Sequence, residues 1–270
     1  MSPAHKKLRF RKEKRERFAP VRFLRVVIVL GLVFALGFAA LRLFEEWQRR
    51  VWISGSRLTV VVARPDPTIY SYSPATSTLT IIEIPKTTQV EASGGYGKWL
   101  AGSLWQLGGD EGKRLPAGRQ GGDLLSTSLE KAFGLPVDGW IDERGEVLFE
   151  QRILSIPSVL GIVGQRTNLT VFDRLNIILA TSGVGIADRR SIDLVTTGIV
   201  KKTQLSDGLE AYVPVPDKAK TVFEVLRDEA VFAEGKTLLV VNTTSKQGIG
   251  GDVARVAGAL GVKVVGTQTA

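Results

Sequence analysis

The stretch Leu58-Thr-Val-Val-Val-Ala-Arg-Pro-Asp-Pro-Thr-Ile-Tyr-Ser-Tyr-Ser73 contains two β-rich runs on either side of a charged turn. The first run, from Arg57 to Ala63, is apolar and β-branched enough to form one buried strand. Pro65 and Pro67 end it, because proline has no backbone donor and restricts the residue before it. The stretch therefore predicts a buried strand that delivers Arg64 to a proline-bounded turn.

The residues that follow predict an α/β domain. A strand at 68–73, a turn at 74–77 and a strand at 78–84 form a β-hairpin that Pro85 closes. Asp123 and Gly134 bracket an amphipathic segment, 123–133, as the cap residues of a helix do. The remaining predicted elements are strands at 137–142 and 146–150, helices at 168–181 and 219–232, and a Gly-rich mobile loop at 106–122.

The end of the chain has the pattern of a βαβ unit, whose strands are parallel by default. Its strand, glycine-rich turn, helix and strand occupy 237–241, 247–251, 252–260 and 262–265. The turn lacks the third small residue and the acid of a dinucleotide fingerprint, which have Val253 and Gly266 in their places. We therefore expect glycines that ease a tight turn, and no nucleotide. The unit looks incomplete, which leaves open a C-terminally truncated fragment.

The composition restricts the possible chemistry. The chain has no Cys and a single His, His5, so disulfides, thiol nucleophiles, Cys or His zinc sites and Ser-His-Asp triads are excluded beyond the first few residues. The net charge is +9 at pH 7, but ten basic residues lie within residues 1–25 and the rest of the chain is nearly neutral. A terminal run of like charges is typical of a solvated arm, so no nucleic-acid partner is expected.

An uncharged segment, Val26 to Leu41, follows the basic tail between Arg25 and Arg42. At about 1.5 Å per residue, residues 23–44 can cross a bilayer core of about 30 Å as one transmembrane helix. The excess of Lys and Arg before the segment predicts a cytoplasmic N-terminus and an extracytoplasmic bulk. A buried core helix and a cleaved signal peptide are the alternatives, and a signal peptide also exports the rest.

Carboxylates and arginines are the chemical groups of the part beyond this segment. Pairs of acids could cleave glycosides, but nothing in the spacing of Asp66, Glu83, Asp138 and Asp142 indicates that they meet, and solvated strand-end and turn residues are the plainer interpretation. Several arginines could converge on a diphosphate, because planar guanidinium groups match phosphate oxygens. Arg64 is the arginine most expected to be functional, since it ends a buried strand beside a fixed turn.

Several segments, in this order, resemble the LytR-CpsA-Psr (LCP) proteins of bacterial envelopes. They are the buried strand with Arg64-Pro-Asp-Pro-Thr68, the hairpin end Ile84-Pro-Lys-Thr87, Gly95-Tyr-Gly-Lys98, and the helix 123–133 with Gly134-Leu-Pro-Val-Asp138. The segment Val240-Val-Asn-Thr-Thr244 and the rest of the βαβ unit are similar to the LytR C-terminal module. The resemblance covers residues 57–140 and 237–266 and hardly extends to 141–235.

The resemblance implies a phosphotransferase that moves a glycopolymer from a polyisoprenyl diphosphate carrier to peptidoglycan with the help of Mg²⁺. It places Arg64 and Lys86 on the lipid diphosphate as catalytic residues and Asp66 on the metal. The chain departs from the family pattern where Thr87 and Pro67 replace acids and where an Arg-Gln-Gln segment is missing. Because a departing diphosphate needs several fixed cations, we expect a divergent member that is inactive or has a rearranged site.

The predicted fold class is α/β, with a single transmembrane helix, a mixed sheet and a small terminal βαβ module. The predicted order is a basic cytoplasmic tail (1–22), a transmembrane anchor (23–44), a stalk (45–56), an LCP-like extracytoplasmic domain (57–218), a connecting helix (219–235) and a LytR C-terminal-like module (236–270). The leading hypothesis is a membrane-anchored envelope protein in cell-wall binding or assembly. An active Mg²⁺-dependent phosphotransferase and a non-enzymatic scaffold are the alternatives. The expected partners are the membrane, the lipid carrier and peptidoglycan.

Overall fold

The computed structural model describes residues 3–53, 55–112, 121–150, 164–206, 208–245 and 247–269. The chain forms two compact units, Met1–Arg49 and Arg50–Ala270. Residues 113–120 of the predicted Gly-rich loop lie outside the described part.

The first unit is one continuous helix, α1 (Pro3–Gln48). Its portion Leu24–Gln48 is a candidate membrane span with a mean hydropathy of 2.6 and none of its apolar window buried. Phe34, for example, is 77% exposed. A helix that is apolar on all sides and covered by nothing suits lipid better than water. A signal sequence near the N-terminus also meets these criteria of length and hydropathy.

The second unit combines strands and helices in alternation. The strands are β1 (Leu58–Ala63), β2 (Thr68–Ser73), β3 (Thr78–Glu83), β4 (Gln89–Ala92), β5 (Gly97–Leu100), β6 (Gly139–Asp142), β7 (Arg189–Asp193), β8 (Val200–Gln204), β9 (Glu210–Pro214), β10 (Thr237–Asn242) and β11 (Lys263–Thr269). The helices are α2 (Leu104–Gly112), α3 (Gly121–Phe133), α4 (Val147–Glu150), α5 (Val171–Ser182), α6 (Pro216–Phe223), α7 (Glu229–Ala233) and α8 (Ile249–Ala259). The predicted α/β class is therefore confirmed.

A five-stranded mixed sheet with the order β6-β1-β2-β3-β7 forms the centre of this unit. The neighbours β1 and β2, and β2 and β3, are antiparallel, as the predicted hairpin requires. The pairs β1 with β6 and β3 with β7 are parallel. Parallel pairs need a long connection, and the segments that contain α2, α3 and α5 provide it.

Two hydrophobic clusters cover the two faces of the central sheet. Val61 belongs to the cluster that contains residues of α3 and α6, whereas Val60 and Val62 belong to the cluster that contains residues of α4 and α5. Successive side chains of a strand point to opposite faces, so a strand covered on both sides must be apolar throughout. This explains the unbroken apolar run of β1.

Several predicted elements differ from those in the structure. Residues 146–150, predicted as a strand, form the end of a 3₁₀ turn and helix α4. The single helix predicted over 219–232 is two helices, α6 and α7, because the chain is extended at Arg227 and Asp228 starts α7 by accepting from Ala230 and Val231 N–H. Residues 106–112 of the predicted loop belong to α2. Within the predicted stalk, Trp52 is buried in the hydrophobic cluster that also contains residues of α4 and α5.

The terminal βαβ unit is present, with β10 and β11 parallel and α8 between them. Gly248 precedes α8 with a φ of 86°, a left-handed conformation that glycine adopts without strain. A Cβ atom on Gly250 would lie 3.5 Å from the Asn242 Cβ atom, so α8 approaches β10 closely here. These positions fit the predicted role of the glycines in a tight turn and close packing.

Candidate functional site

The candidate site lies where β1 and β6 end. These parallel strands pair Ala63 with Asp142, so the residues that follow each strand meet at one edge of the sheet. Arg64 follows β1, and Glu146 ends the 3₁₀ turn that follows β6. The fold therefore places the predicted arginine beside an acid that lies 82 positions away in the chain.

Arg64 forms an ion pair with Glu146, in which its Nη1 donates to the carboxylate. Both side chains are partly exposed, at 37% and 28%. The Arg64 guanidinium also lies close to Tyr70, which is 1% exposed and stacks on Phe149 at 4.4 Å between ring centroids. Burial, together with Glu146 and Glu150, raises the pKa of Tyr70, so the phenol stays protonated. Arg64 is thus held by groups of the protein itself.

A second carboxylate, Glu150, lies beside this ion pair. Loss of hydration, followed by the charge of Glu146 and a hydrogen bond to it, raises the pKa of Glu150, while Arg64 and Arg189 oppose the shift. The Arg189 guanidinium is itself engaged, because its Nη1 donates to the Phe149 carbonyl at 2.9 Å. Negative charge near Arg64 therefore matches its positive charge, and little attraction is left for an anion.

Asp66 and Lys86 come together through the backbone. The Lys86 N–H donates to Asp66 Oδ1 at 2.7 Å, and the Ile84 N–H donates to the Pro67 carbonyl at 2.8 Å. A Cβ atom on Gly102 would lie 2.8 Å from both the Lys86 Cβ atom and the Pro65 carbonyl oxygen, so three chain segments are tightly packed here. Asp66 thus ties the turn after β1 to the end of the hairpin.

In the described residues, Asp66 belongs to no metal site made of three or more protein side chains. Nowhere in the described part do three or more His, Asp or Glu side chains gather so that they could hold a metal. One oxygen of Asp66 already accepts from the Lys86 N–H. Mg²⁺ commonly takes one or two carboxylates together with substrate phosphates and water, so a single carboxylate is compatible with the role assigned to Asp66, which stays a prediction.

Two cations near this edge have no acidic partner among the described residues. Lys86 is exposed, and the Arg166 guanidinium lies 5.4 Å from the centroid of the Trp105 ring. Trp105 is on α2, one helical turn after Gly102, which packs against Lys86. The sequence did not single out Trp105 or Glu146, and only the i, i+4 spacing of Glu146 and Glu150 could have indicated a shared helical face.

One carboxylate oxygen of Asp142 has a structural role, and the other has no hydrogen-bond partner among the described residues. Its Oδ2 accepts from Arg144 Nη2 at 2.7 Å and from the Arg166 N–H at 3.0 Å. Among the described residues its Oδ1 is buried without a hydrogen-bond partner, and so is Oε1 of Gln165, whose amide Nε2 donates to the Arg144 carbonyl. A buried acceptor without a donor costs free energy, so this edge can accept hydrogen bonds from a ligand or water.

The acids considered for glycoside cleavage do not meet as a set. Asp138 precedes β6 and Asp142 ends it, so the two lie at opposite ends of the strand. Asp138 Oδ2 accepts from the Thr59 N–H at 2.7 Å, which gives it a role in holding β1. Glu83 is exposed at the end of β3.

Comparisons with known proteins place this geometry beside solved structures. No protein-family model matches the chain, and no curated protein matches its sequence. The chain is similar to TagT from B. subtilis with 12% identity and a TM-score of 0.46 over 66% of this chain and 94% of that one. It is similar to the LytR-CPS2A-psr family protein YwtF (TagT) with bound octaprenyl pyrophosphate lipid, with 14% identity and a TM-score of 0.45 over 66% and 93%.

A further similar structure is TagV from B. subtilis, with 10% identity and a TM-score of 0.45 over 64% of this chain and 97% of that one. The family named for YwtF (TagT) is the one that the sequence motifs resemble.

Proposed function

We propose that this protein is a divergent envelope protein of the LCP type, anchored by α1, that acts in cell-wall binding or assembly without catalysing glycopolymer transfer. The ion pair between Arg64 and Glu146 carries the proposal. The resemblance assigns Arg64 to the diphosphate, but in this chain a diphosphate has to displace Glu146 and approach Glu150. Stabilising a departing diphosphate takes fixed, uncompensated cations, and Arg64 is not one of them.

The changes at the other assigned positions support the same proposal. Lys86 offers a point charge in place of the two-pronged guanidinium that fits phosphate oxygens. Asp66 is engaged by the Lys86 N–H and belongs to no group of three or more acidic side chains in the described residues. The Arg64 side chain, the Asp66 carboxylate and the Lys86 N–H are therefore engaged in contacts within the domain.

An active phosphotransferase is the second candidate. Lys86 and Arg166 favour it, because neither has an acidic partner among the described residues and both lie near the β1–β6 edge. Two such cations could receive the phosphates of a carrier without the help of Arg64.

Binding and transfer assays on the purified full-length protein in detergent micelles distinguish the two candidate functions. We expect weak binding of a polyprenyl diphosphate and no transfer of a lipid-linked glycopolymer with Mg²⁺. Glu146→Gln should strengthen diphosphate binding by about tenfold, because it frees Arg64 and removes one negative charge. The control Glu143→Gln, at an exposed acid of the same turn, should leave the affinity unchanged.

The opposite results are equally clear. Turnover that needs Mg²⁺ and that Arg64→Ala abolishes would establish the transferase and overturn the proposal. An affinity that does not change in Glu146→Gln would show that the ion pair does not limit diphosphate binding.

A further inference from the structure

A cavity of about 750 Å³ lies between α3, the turn that joins β4 to β5, and α8 of the terminal unit. One wall is an apolar stripe on α8, formed by Ile249, Val253, Val256, Ala257 and Leu260. These residues recur at the spacing of one helix face. The opposite wall carries Glu91, Thr127 and Glu130. None of these residues belongs to the edge that holds Arg64 and Lys86.

The charges around this cavity leave one acid uncompensated. Glu91 pairs with Lys131 at 3.3 Å, and Asp252 pairs with Arg255 at 2.8 Å. The Glu130 side chain has no hydrogen bond or ion pair with any residue in the described part of the chain. A half-buried carboxylate of this kind is attractive to a cation, because pairing restores part of the stabilisation that water no longer supplies.

The environment of Glu130 points in the same direction. Partial burial, and then repulsion by Asp138, raises the pKa of Glu130. Lys131 lines the cavity and is already paired with Glu91, and Arg255 on α8 is paired with Asp252. Arg255 Nη2 also donates to the Lys131 carbonyl at 2.6 Å, which fixes α8 against the end of α3. Two helices fixed to each other therefore bound the cavity, and no described residue supplies a counter-ion for Glu130.

We propose that this cavity binds a lysine-type side chain of a peptide, with its ammonium group on Glu130 and its aliphatic stem along Val253 and Val256. A bare cation would leave the apolar stripe in water, and an uncharged chain would leave Glu130 without a partner. A volume of about 750 Å³ suits a ligand of a few residues. This proposal rests on residues other than those of the proposed function, so failure of one leaves the other unaffected.

Titration of the full-length protein in detergent with the peptide acetyl-Ala-Lys-Ala-amide tests the proposal. A peptide with norleucine in place of lysine has a similar apolar stem and no charge. We expect the lysine peptide to bind about tenfold more tightly than the norleucine peptide. Equal affinities for the two peptides, or no binding of the lysine peptide, would overturn the proposal.

Variants assign the binding to this cavity. Glu130→Gln keeps the shape of the side chain and should weaken binding of the lysine peptide by about tenfold, with no change for the norleucine peptide. Val256→Asn should weaken binding of both peptides. Glu210→Gln, at an exposed acid on β9, should leave both affinities unchanged. A folded Glu130→Gln protein, verified by its thermal unfolding, that binds the lysine peptide as tightly as the wild type would refute the assignment.

Discussion

Asp173 is a single buried carboxylate that joins two distant parts of the chain. It is fully buried, and its two oxygens accept from the N–H groups of Val51, Trp52 and Thr170 at 3.0–3.1 Å. The Thr170 hydroxyl donates to it at 2.7 Å and accepts from its N–H in return, which forms a capping box at the start of α5. Asp173 therefore ties residues 51 and 52 to the start of α5.

Asp173→Ala should destabilise the protein by about 3 kcal/mol, because it leaves buried donors without an acceptor and removes the cap of α5. Urea unfolding of the full-length protein measures the difference. Asp217→Ala, at an exposed acid on α6, is the matched control and should cost less than about 1 kcal/mol. Equal losses in the two variants would contradict the role given to Asp173.

The shifted pKa of Asp138 predicts how the free energy of unfolding depends on pH. Burial of its carboxyl and repulsion by Asp228 raise its pKa from 3.8 to about 6, although the bond from the Thr59 N–H opposes the shift. The folded protein therefore keeps the proton to a higher pH than the unfolded chain does. Stability contributed by this group is complete below about pH 4 and is lost as the pH rises through about 6.

Asp138→Asn should consequently flatten the decline in the free energy of unfolding between pH 4 and 6. Denaturant unfolding at several pH values measures it. The raised pKa values of Glu130 and Glu150 act in the same direction, so a smaller slope should remain. Asp217→Asn should keep the slope of the wild type, and the same slope in Asp138→Asn would refute the assignment.

Helix α3 is held against the sheet through glycine. A Cβ atom on Gly122 would lie 1.9 Å from Trp140 Cδ2, and one on Gly121 would lie 2.2 Å from the Trp105 carbonyl oxygen. Asp123, predicted as the cap of this helix, lies within its first turn and accepts from Trp140 Nε1 at 2.7 Å. The start of α3 is thus determined by its contact with β6.

Gly122→Ala should destabilise the protein by about 2 kcal/mol or more, because the added methyl group overlaps the indole ring of Trp140. Gly109→Ala on α2 is the control, since a Cβ atom there would meet nothing within 4 Å. That substitution should stabilise the protein by up to about 1 kcal/mol through helix propensity. Thermal unfolding of both variants measures the contrast, and a neutral Gly122→Ala would mean that α3 can shift away from β6.

Membrane topology concerns the full chain and depends on α1. With the tail in the cytoplasm, protease added outside intact cells should remove a tag placed after residue 269 and spare a tag before residue 3. The reason is the excess of Lys and Arg on one side of the apolar segment. Permeabilised cells, in which both tags should be lost, are the control. Protection of the C-terminal tag in intact cells would refute the orientation, and loss of the N-terminal tag from the membrane fraction would indicate a cleaved signal peptide.

Elements with a strong local signal were predictable from the sequence. The apolar run of β1 ends at prolines, the hairpin of β2 and β3 is short-range, and the helix at 123–133 has both periodicity and cap residues. The parallel unit of β10, α8 and β11 was predicted for the same reason. Each of these depends on interactions among neighbours in the chain, which periodicity and turn chemistry report directly.

Elements that depend on distant partners were not predictable. The strand Arg189-Arg-Ser-Ile-Asp193 is largely polar and exists because the edge of β3 pairs with it. Residues 146–150 contain β-branched and aromatic side chains that suggest a strand, but the 3₁₀ turn after β6 leads them into α4. Tertiary pairing outweighs local propensity in both cases.

The candidate site likewise has residues that the sequence indicated and residues that only the structure revealed. The sequence alone indicated Arg64, Lys86 and Asp66, because they follow strands and proline-bounded turns, and their proposed roles stay predictions. Only the tertiary structure placed Glu146 on Arg64 and left Glu130, which lines a cavity, without an ion-pair or hydrogen-bond partner among the described residues. A local pattern specifies which groups a segment carries, whereas the charge that each group finally faces comes from segments far away in the chain, brought close by parallel strand pairing and helix packing.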